Sequence, residues 1–276
     1  MVDDTQAAEI PYHSRYREDH EPGSTRAAAR ILPVVLQIVD VASVVDVGCG
    51  SGAWLAAAQD QAVPVLRGIE GPWAAGWGDV FDPAFEITLC DLEQPLQLGE
   101  RYDLAICVEV AEHLTPSRAP GLVGDLCRLG RSVLFGAAVP GQGGARHINE
   151  APLSEWTRHF AANGYRPLDV VRRRVWDDPA IPYYYRQNSV LFVAEAEWER
   201  AADRAASLTP VSDTAGIDIV HPELLRGRTE TVAHLRAALH GPRVVGARER
   251  VALSLGIPAA TVRALRRRIR RPGAST

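Results

Sequence analysis

Lysine is absent from this sequence of 276 residues, so all 30 of its basic residues are arginine. Schiff-base chemistry and a lysine general base are therefore excluded. Long apolar runs are also missing, and none approaches the ~20 residues that a membrane-spanning helix needs. The amino-terminal residues MVDD do not begin a secretory signal. We therefore expect a cytoplasmic protein without a transmembrane segment.

Cysteine is scarce as well. Cys49, Cys90, Cys107 and Cys127 lie within or beside apolar segments, and none has the C-x-x-C spacing of a metal site. We expect reduced thiols in or near the core. The net charge of -4 argues against a general attraction to nucleic acid. A chain of this length with 46% hydrophobic residues can bury one α/β core and an appendage.

The most informative segment is residues 44–55, VVDVGCGSGAWL. Its β-branched residues predict a strand buried on both faces, and Gly48, Gly50 and Gly52 allow a tight turn before a helix. Asp46, just before the turn, would repel a pyrophosphate and attract an ammonium group. The spacing D-x-G-x-G-x-G also differs from the G-x-G-x-x-G of dinucleotide-binding proteins. A nicotinamide cofactor, and an NAD-dependent oxidoreductase with it, is therefore disfavoured.

This segment resembles motif I of the class I S-adenosylmethionine (SAM) dependent methyltransferases. Residues 65–70, 85–92 and 102–114 resemble the motifs that follow it in that family, in the same order. The resemblance implies that Glu70 accepts the ribose hydroxyls and that Leu92, with Trp73, sandwiches the adenine. The implied cofactor-binding residues are Tyr12, Arg15, Asp46, Gly48, Cys49, Gly50, Trp54, Glu70, Gly71, Asp91, Leu92 and Glu109.

The resemblance continues past the cofactor half. Residues 140–150, PGQGGARHINE, resemble the loop after the fifth strand in a subgroup with the pattern PGQGGxxHxNE, and Trp176 and residues 185–188, YRQN, match later blocks of that subgroup. The resemblance covers roughly residues 12–195. It says little about residues 200–276.

The implied fold is α/β and Rossmann-like, with a seven-stranded, mostly parallel sheet flanked by helices and a C-terminal helical extension. We expect an N-terminal helical cap over residues 1–40, with a helix at about 24–39. The methyltransferase domain would follow over residues 41–198 and the extension over residues 199–276. The strands expected at about 166–176 and 189–195 would form an antiparallel hairpin at the sheet edge.

His113 and His147 are the candidate catalytic residues. Each follows the carboxyl end of a predicted strand, and a neutral histidine suits a general base near neutral pH. Asn149 and Glu150 would orient His147 or hold the acceptor. The alternative for each histidine is a structural hydrogen-bonding role.

A divalent metal ion is a second hypothesis for the same residues. Glu109, Glu112 and His113 form E-x-x-E-H, which resembles clusters that, with a later histidine, hold a divalent ion in small-RNA 2′-O-methyltransferases. His147 would be that later ligand. Two carboxylates and two imidazoles suit Mn²⁺, Fe²⁺ or Zn²⁺ better than Mg²⁺. Alternatively, Glu109 faces SAM and His113 begins a helix.

The sequence therefore predicts a SAM-dependent methyltransferase, with a small-molecule or glycosidic hydroxyl as the leading acceptor in natural-product or glycan tailoring. A carboxyl-, N- or C-methyltransferase and a non-catalytic SAM-binding protein are the alternatives. Five aromatic residues in the acceptor half either stack on the acceptor or pack in the core. They are Trp156, Trp176, Tyr183, Tyr184 and Tyr185.

A basic amphipathic helix is predicted near the end of the chain. Arg263, Arg266, Arg267 and Arg270 share one helical face. It either binds a membrane surface, nucleic acid or partner, or docks by its apolar edge on the enzyme or on a sister subunit of a homodimer. Extended nucleic acid is not expected as a substrate.

Overall fold

The computed structural model describes residues 21–77, 81–208 and 216–240. Tyr12, Arg15 and the basic helix expected over residues 263–270 lie outside these ranges, so their predicted roles stay predictions. Among the described helices, none combines the length and the apolar composition needed to cross a membrane.

A seven-stranded sheet forms the centre of the molecule, as the sequence predicts. Its strands stand in the order β3-β2-β1-β4-β5-β7-β6. The strands β1 to β5 are parallel, and β7 runs antiparallel to both β5 and β6. Their bounds are β1 Ser43–Val47, β2 Val65–Glu70, β3 Glu86–Leu89, β4 Tyr102–Val108, β5 Gly130–Gly136, β6 Tyr165–Leu168 and β7 Val190–Ala194.

Helices connect the strands and cover both faces of the sheet. Their bounds are α1 Glu21–Ile38, α2 Ala53–Asp60, α3 Ala119–Leu129, α4 Leu153–Ala162, α5 Val171–Val175, α6 Tyr183–Asn188, α7 Trp198–Leu208 and α8 Pro222–His240. The helix expected at about 24–39 is thus α1. Short 3-10 turns at Pro72–Gly76, Ala111–His113, Pro116–Arg118 and Glu195–Glu197 complete the connections.

The apolar strands feed two separate cores because successive side chains of a strand point to opposite faces. Val44 packs with α1 and α2, whereas Val45 and Val47 pack with α3 and α4. The side chains of these three valines are fully buried. This burial on both faces explains why valine occupies the β1 positions on both sides of Asp46.

The strand order reverses between β1 and β4, which lie side by side although β2 and β3 separate them in the chain. In open α/β sheets ligands bind in the crevice beyond the carboxyl ends of the strands at such a point. The glycine turn after β1 and the segment that begins at Glu109 after β4 border this crevice. The fold therefore brings the predicted cofactor and acceptor residues to one edge of the sheet.

The strand expected at about 166–176 is wrong over most of its length. Strand β6 ends at Leu168, and the valine-rich segment after it is the helix α5. Val171 and Val175 lie one helical turn apart and are both buried. Arg172, between them, pairs with Asp169 through two hydrogen bonds of 2.7 and 2.6 Å. Tertiary burial and this local ion pair override the strand preference of the β-branched residues.

The described residues up to His221 form one compact unit, and those from Pro222 form a second. The sequence analysis placed the boundary after residue 198. Helix α7 lies beyond that position but packs on α1, β6 and β7 within the first unit. The second unit contains the described helix α8.

Removing Asp125 tests the packing of α3. Its carboxylate pairs with the buried guanidinium of Arg118 and accepts the Leu96 amide at 3.0 Å. Asp125→Ala leaves the buried Arg118 charge uncompensated, so we expect the free energy of unfolding to fall by about 3–5 kcal/mol. Asp177→Ala, at an exposed position, should change it by less than about 0.5 kcal/mol. Equal denaturation midpoints for the two variants would contradict this account.

Candidate active site

The turn after β1 is built from three glycines with positive φ. The angles are 77° at Gly48, 53° at Gly50 and 89° at Gly52, a region that favours glycine. A Cβ on Gly48 would lie 2.5 Å from Cγ2 of Val110, so no side chain fits there. The amides of Gly48 and Cys49 donate to the carbonyl oxygen of Ile69 at 2.8 and 3.1 Å. The turn is therefore clamped between the ends of β2 and β4.

Two buried carboxylates lie beside this turn. Asp46 is 2% exposed, and its Oδ2 atom has no hydrogen-bond partner among the described residues. Burial, and secondly the charge of Glu70, raises the pKa of Asp46 well above its usual range. Burial also raises the pKa of Glu70, while amide hydrogen bonds from Gly71 at 2.7 Å and Gly50 at 2.6 Å oppose the shift.

These two acids fit the methyl donor that the resemblance implies. An unpartnered buried carboxylate is costly unless a cation or donor group meets it, and the ammonium of a methionyl group would do so at Asp46. Each carboxylate oxygen of Glu70 uses one lone pair to accept a backbone amide, from Gly50 or from Gly71. The remaining lone pairs can accept ribose hydroxyl groups while the carboxylate braces Gly50 and Gly71.

The other predicted cofactor residues lie in more varied surroundings. Asp91 is exposed, and its Oδ1 atom accepts the Glu93 amide at 3.0 Å. Leu92 is 2% exposed and belongs to the core, whereas Trp73 is 55% exposed beside Gly71. The roles of Leu92 and Trp73 at an adenine ring stay predictions.

Cys49 and Trp54 also lie in the core. Trp54 is buried, and its ring meets that of Tyr185 edge-on with centroids 6.2 Å apart. All four cysteines are free thiols, and burial raises the pKa of Cys49, Cys107 and Cys127. Cys49 therefore offers a packing surface rather than a reactive thiolate.

Glu109 marks the start of the acceptor side. It is a non-glycine residue with φ of 58°, directly after β4. Its Oε1 atom accepts the Asn188 amide group at 2.8 Å, and Oε2 accepts that of Gln142 at 3.1 Å. Burial raises the pKa of Glu109, and these two hydrogen bonds oppose the shift.

Glu112, His113 and His147 form a cluster next to Glu109. Their potential ligand atoms all lie within 4.8 Å of one another. The two imidazole rings meet edge-on with centroids 4.9 Å apart. Glu112 is fully buried, and neither carboxylate oxygen has a hydrogen-bond partner among the described residues. Burial and the charge of Glu109 raise its pKa well above the usual range.

The loop that carries His147 is fastened to the turn that carries Glu112. The amides of Ile148 and Asn149 donate to the Glu112 carbonyl oxygen at 2.9 and 3.1 Å. Glu150 contacts Nδ1 of His147 at 3.2 Å and accepts the Gly141 amide at 2.8 Å. A proton on Nδ1 then leaves Nε2 of His147 unprotonated, which suits either a general base or a metal ligand.

The metal hypothesis keeps three of its four predicted residues. The cluster contains Glu112, His113 and His147. Glu109 is not in this group and binds Asn188 and Gln142, and its charge raises the pKa of the neighbouring Glu112. One carboxylate and two imidazoles with an open position are donors that Mn²⁺, Fe²⁺ or Zn²⁺ accept. The orphaned Glu112 carboxylate shows that the donors present fit such an ion.

Of the five aromatic residues, two are core residues. Trp156 is 1% exposed and packs on Phe135 with centroids 5.0 Å apart, and Tyr185 is buried against Trp54. Trp176, Tyr183 and Tyr184 are half-buried. Only these three retain surface that an acceptor could contact.

The sequence analysis missed the roles of Gln142, Gln187, Asn188 and His221. Gln187 donates to Oδ1 of Asn188 at 3.0 Å and accepts the His221 amide at 2.7 Å. The blocks PGQGG and YRQN contain three of these residues, so the signal was present as polar side chains at strand ends. Nothing in the spacing indicated that the blocks meet around Glu109.

Comparison with known proteins gives one family match and several similar structures. A family model described as a methyltransferase domain matches residues 16–129, which end before the loop at 140–150. The fold resembles that of DesVI from Streptomyces venezuelae, with a TM-score of 0.51 and 14% identity over 67% of this chain and 99% of that chain. The sugar N-methyltransferase KedS8 from Streptoalloteichus sp. has a TM-score of 0.50 and 14% identity, with coverage of 70% and 96%. No curated protein sequence matches.

Asp46→Asn tests the role of the buried Asp46 carboxylate. The variant should bind the ligand more weakly and at the same time be more stable. S-adenosylhomocysteine should bind about tenfold more weakly, because a charge-assisted hydrogen bond to its ammonium is lost. The folded pKa of Asp46 lies above the unfolded value, so its ionisation costs stability as the pH rises. The variant should therefore be more stable than the parent chain at neutral pH.

The measurements are calorimetric titration and thermal denaturation, each at acid and neutral pH. In the parent chain the affinity should rise with pH as Asp46 ionises, and Asp46→Asn should lose this part of the pH dependence. Asp60→Asn, at the exposed end of α2, is the matched control. Unchanged affinity in Asp46→Asn would remove the acid from the cofactor site.

Proposed function

We propose that this chain is a SAM-dependent methyltransferase of the class I fold and that it methylates a hydroxyl group of a small molecule or glycoside. The observation that carries the proposal is His147, whose Nδ1 atom contacts Glu150 at 3.2 Å on a loop that is fastened to the segment of Glu112. A hydroxyl nucleophile needs a base, and this arrangement supplies one. Natural-product or glycan tailoring and a cytoplasmic location remain parts of the same proposal.

The donor supplies an electrophilic methyl group on a sulfonium when it is bound. Asp46 and Glu70 would hold its amino acid end and its ribose. The glycine turn allows the close approach that an in-line displacement requires. His147 would accept the proton of the acceptor hydroxyl at Nε2, and Glu150 would hold the resulting imidazolium through Nδ1.

The charge of the cleft supports an uncharged acceptor. Glu109 and Glu112 border it from the segment after β4 and Glu150 borders it from the loop after β5, so its lining is acidic. An anionic polymer would meet like charges here. This agrees with the small acceptor expected from the sequence. KedS8 and this chain share only the fold. The N-methylation by KedS8 therefore does not indicate which atom this chain methylates.

A metal-assisted form of the same reaction is the second candidate. Glu112, His113 and His147 would hold a divalent ion, and the specific observation is the fully buried, unpartnered Glu112 carboxylate. Such an ion acts as a Lewis acid that lowers the pKa of a bound hydroxyl. His147 would then be a ligand rather than the base.

His147→Ala distinguishes a catalytic from a structural role. S-adenosylhomocysteine should bind within about twofold of the parent chain, whereas methyl transfer to an acceptor found by screening should fall by about 100-fold or more. The exposed His234 gives the matched control His234→Ala. Loss of cofactor affinity in His147→Ala alone would make His147 structural.

Titration with Mn²⁺ and Zn²⁺ after treatment with EDTA tests the metal-assisted form. We expect one ion to bind per chain, and Glu112→Gln and His147→Ala should each weaken binding by about tenfold or more because a ligand is lost. Glu93→Gln removes a carboxylate that accepts the Thr115 amide instead, and should leave metal affinity unchanged. Methyl transfer that is insensitive to EDTA would leave His147 as the base.

A further inference from the structure

Glu109 lies where the cofactor turn meets the acceptor loops. The next residue, Val110, fills the space beside Gly48. The backbone amide of Glu109 donates to the Gly136 carbonyl oxygen at 2.8 Å. The segment is therefore anchored to the turn after β1 on one side and to the end of β5 on the other. A side chain that leaves the backbone here lies at the border between donor and acceptor.

The backbone at Glu109 is held in an unfavourable conformation. A φ of 58° is uncommon for a residue with a Cβ and is energetically unfavourable. Such strain persists only where the surrounding structure enforces it. Here the enforced conformation directs a carboxylate, which is itself costly to bury.

Two side-chain amides determine the direction of that carboxylate. Asn188 binds Oε1 at 2.8 Å and Gln142 binds Oε2 at 3.1 Å, so both oxygens are held. The same two amides also bind each other, with 3.0 Å between Nδ2 of Asn188 and Oε1 of Gln142. We name Gln142, Gln187 and Asn188 the carboxamide clamp.

Gln187 completes the clamp. Its Nε2 atom donates to Oδ1 of Asn188 at 3.0 Å and to Oε1 of Gln142 at 3.3 Å, and its Oε1 atom accepts the His221 amide at 2.7 Å. Both Gln187 and Asn188 are 1% exposed. The clamp therefore joins three chain segments in the interior and leaves Glu109 little freedom to turn.

A buried network of this kind is an expensive way to fill space, because apolar side chains of equal volume pack as well. The amide groups also donate to the carboxylate, which favours its charged form. Glu109 itself is only partly buried. The network thus holds the carboxyl group in one direction at the cleft, while burial raises its pKa.

We propose that Gln142 and Asn188, supported by Gln187, are positioning residues that aim the Glu109 carboxylate at the point where the methyl group passes from donor to acceptor. This inference rests on the proposed function. The site then favours positive charge at the transfer point. It disfavours an acceptor that presents a carboxylate there, because the two charges repel.

A comparison of sinefungin with S-adenosylhomocysteine tests the proposal without an acceptor. Sinefungin carries an amine, charged at neutral pH, where the donor carries its methyl-bearing sulfonium, whereas S-adenosylhomocysteine is neutral at that place. Glu109→Gln should weaken the binding of sinefungin by about tenfold and the binding of S-adenosylhomocysteine by less than about twofold. The quantity measured is the ratio of the two dissociation constants at fixed ionic strength.

The clamp is tested with variants that keep volume and remove a donor. Gln142→Met and Asn188→Leu should each change the same ratio by about fivefold, since each loosens one oxygen of Glu109. In the Glu109→Gln background Gln142→Met should have no further effect, because the group that it positions has lost its charge. Gln37→Met, at an exposed position on α1, is the control.

The outcomes separate this proposal from the proposed function. A clamp variant that weakens both compounds equally has only a structural role, and an unchanged ratio in Glu109→Gln removes the charge from the transfer point. Either result overturns the proposal while cofactor binding stands. A parent chain that binds neither compound overturns the proposed function and this proposal with it.

Discussion

The burial of carboxylates at the carboxyl edge of the sheet is the constraint on which the site depends. Asp46, Glu70, Glu109 and Glu112 all lie within a few residues of strand ends, and burial raises the pKa of each. Their desolvation is costly, and no described arginine pairs with them. Amide groups donate to Glu70 and Glu109 instead, whereas Oδ2 of Asp46 and both carboxylate oxygens of Glu112 have no hydrogen-bond partner among the described residues.

This division of labour follows from the fold. The reversal of strand order separates the turns after β1 and β4 enough to form a crevice, and Asp46 and Glu70 lie on its β1–β2 side. The acids after β4 meet the loop after β5 and the segment before β7. Because β7 is antiparallel to β5, the residues just before it, Gln187 and Asn188, reach the same edge. The clamp therefore depends on the antiparallel position of β7 between β5 and β6.

Much of the fold was predictable because its determinants are local. Apolar runs of strand length, each ending in an acid or glycine, indicated β1, β2 and β4 at nearly their observed bounds. The error at residues 166–176 has a tertiary cause, since the same valines suit a strand or a helix and the buried Arg172 pairs with Asp169 only in the helix. The structure places Asp46 and Glu70 at the ends of β1 and β2, where the sequence indicated them, and their role toward a methyl donor stays a prediction.

The sequence by itself determined the class of fold, the glycine turn and the types of group available for chemistry, since these follow from periodicity and short-range spacing. Only the tertiary structure decided which groups meet. It separated Glu109 from the Glu112, His113 and His147 cluster, assigned Trp156 to the core, and joined Gln142 to Asn188 across 46 positions of the chain. Contacts at such separations depend on the packing of whole strands, which no local pattern encodes.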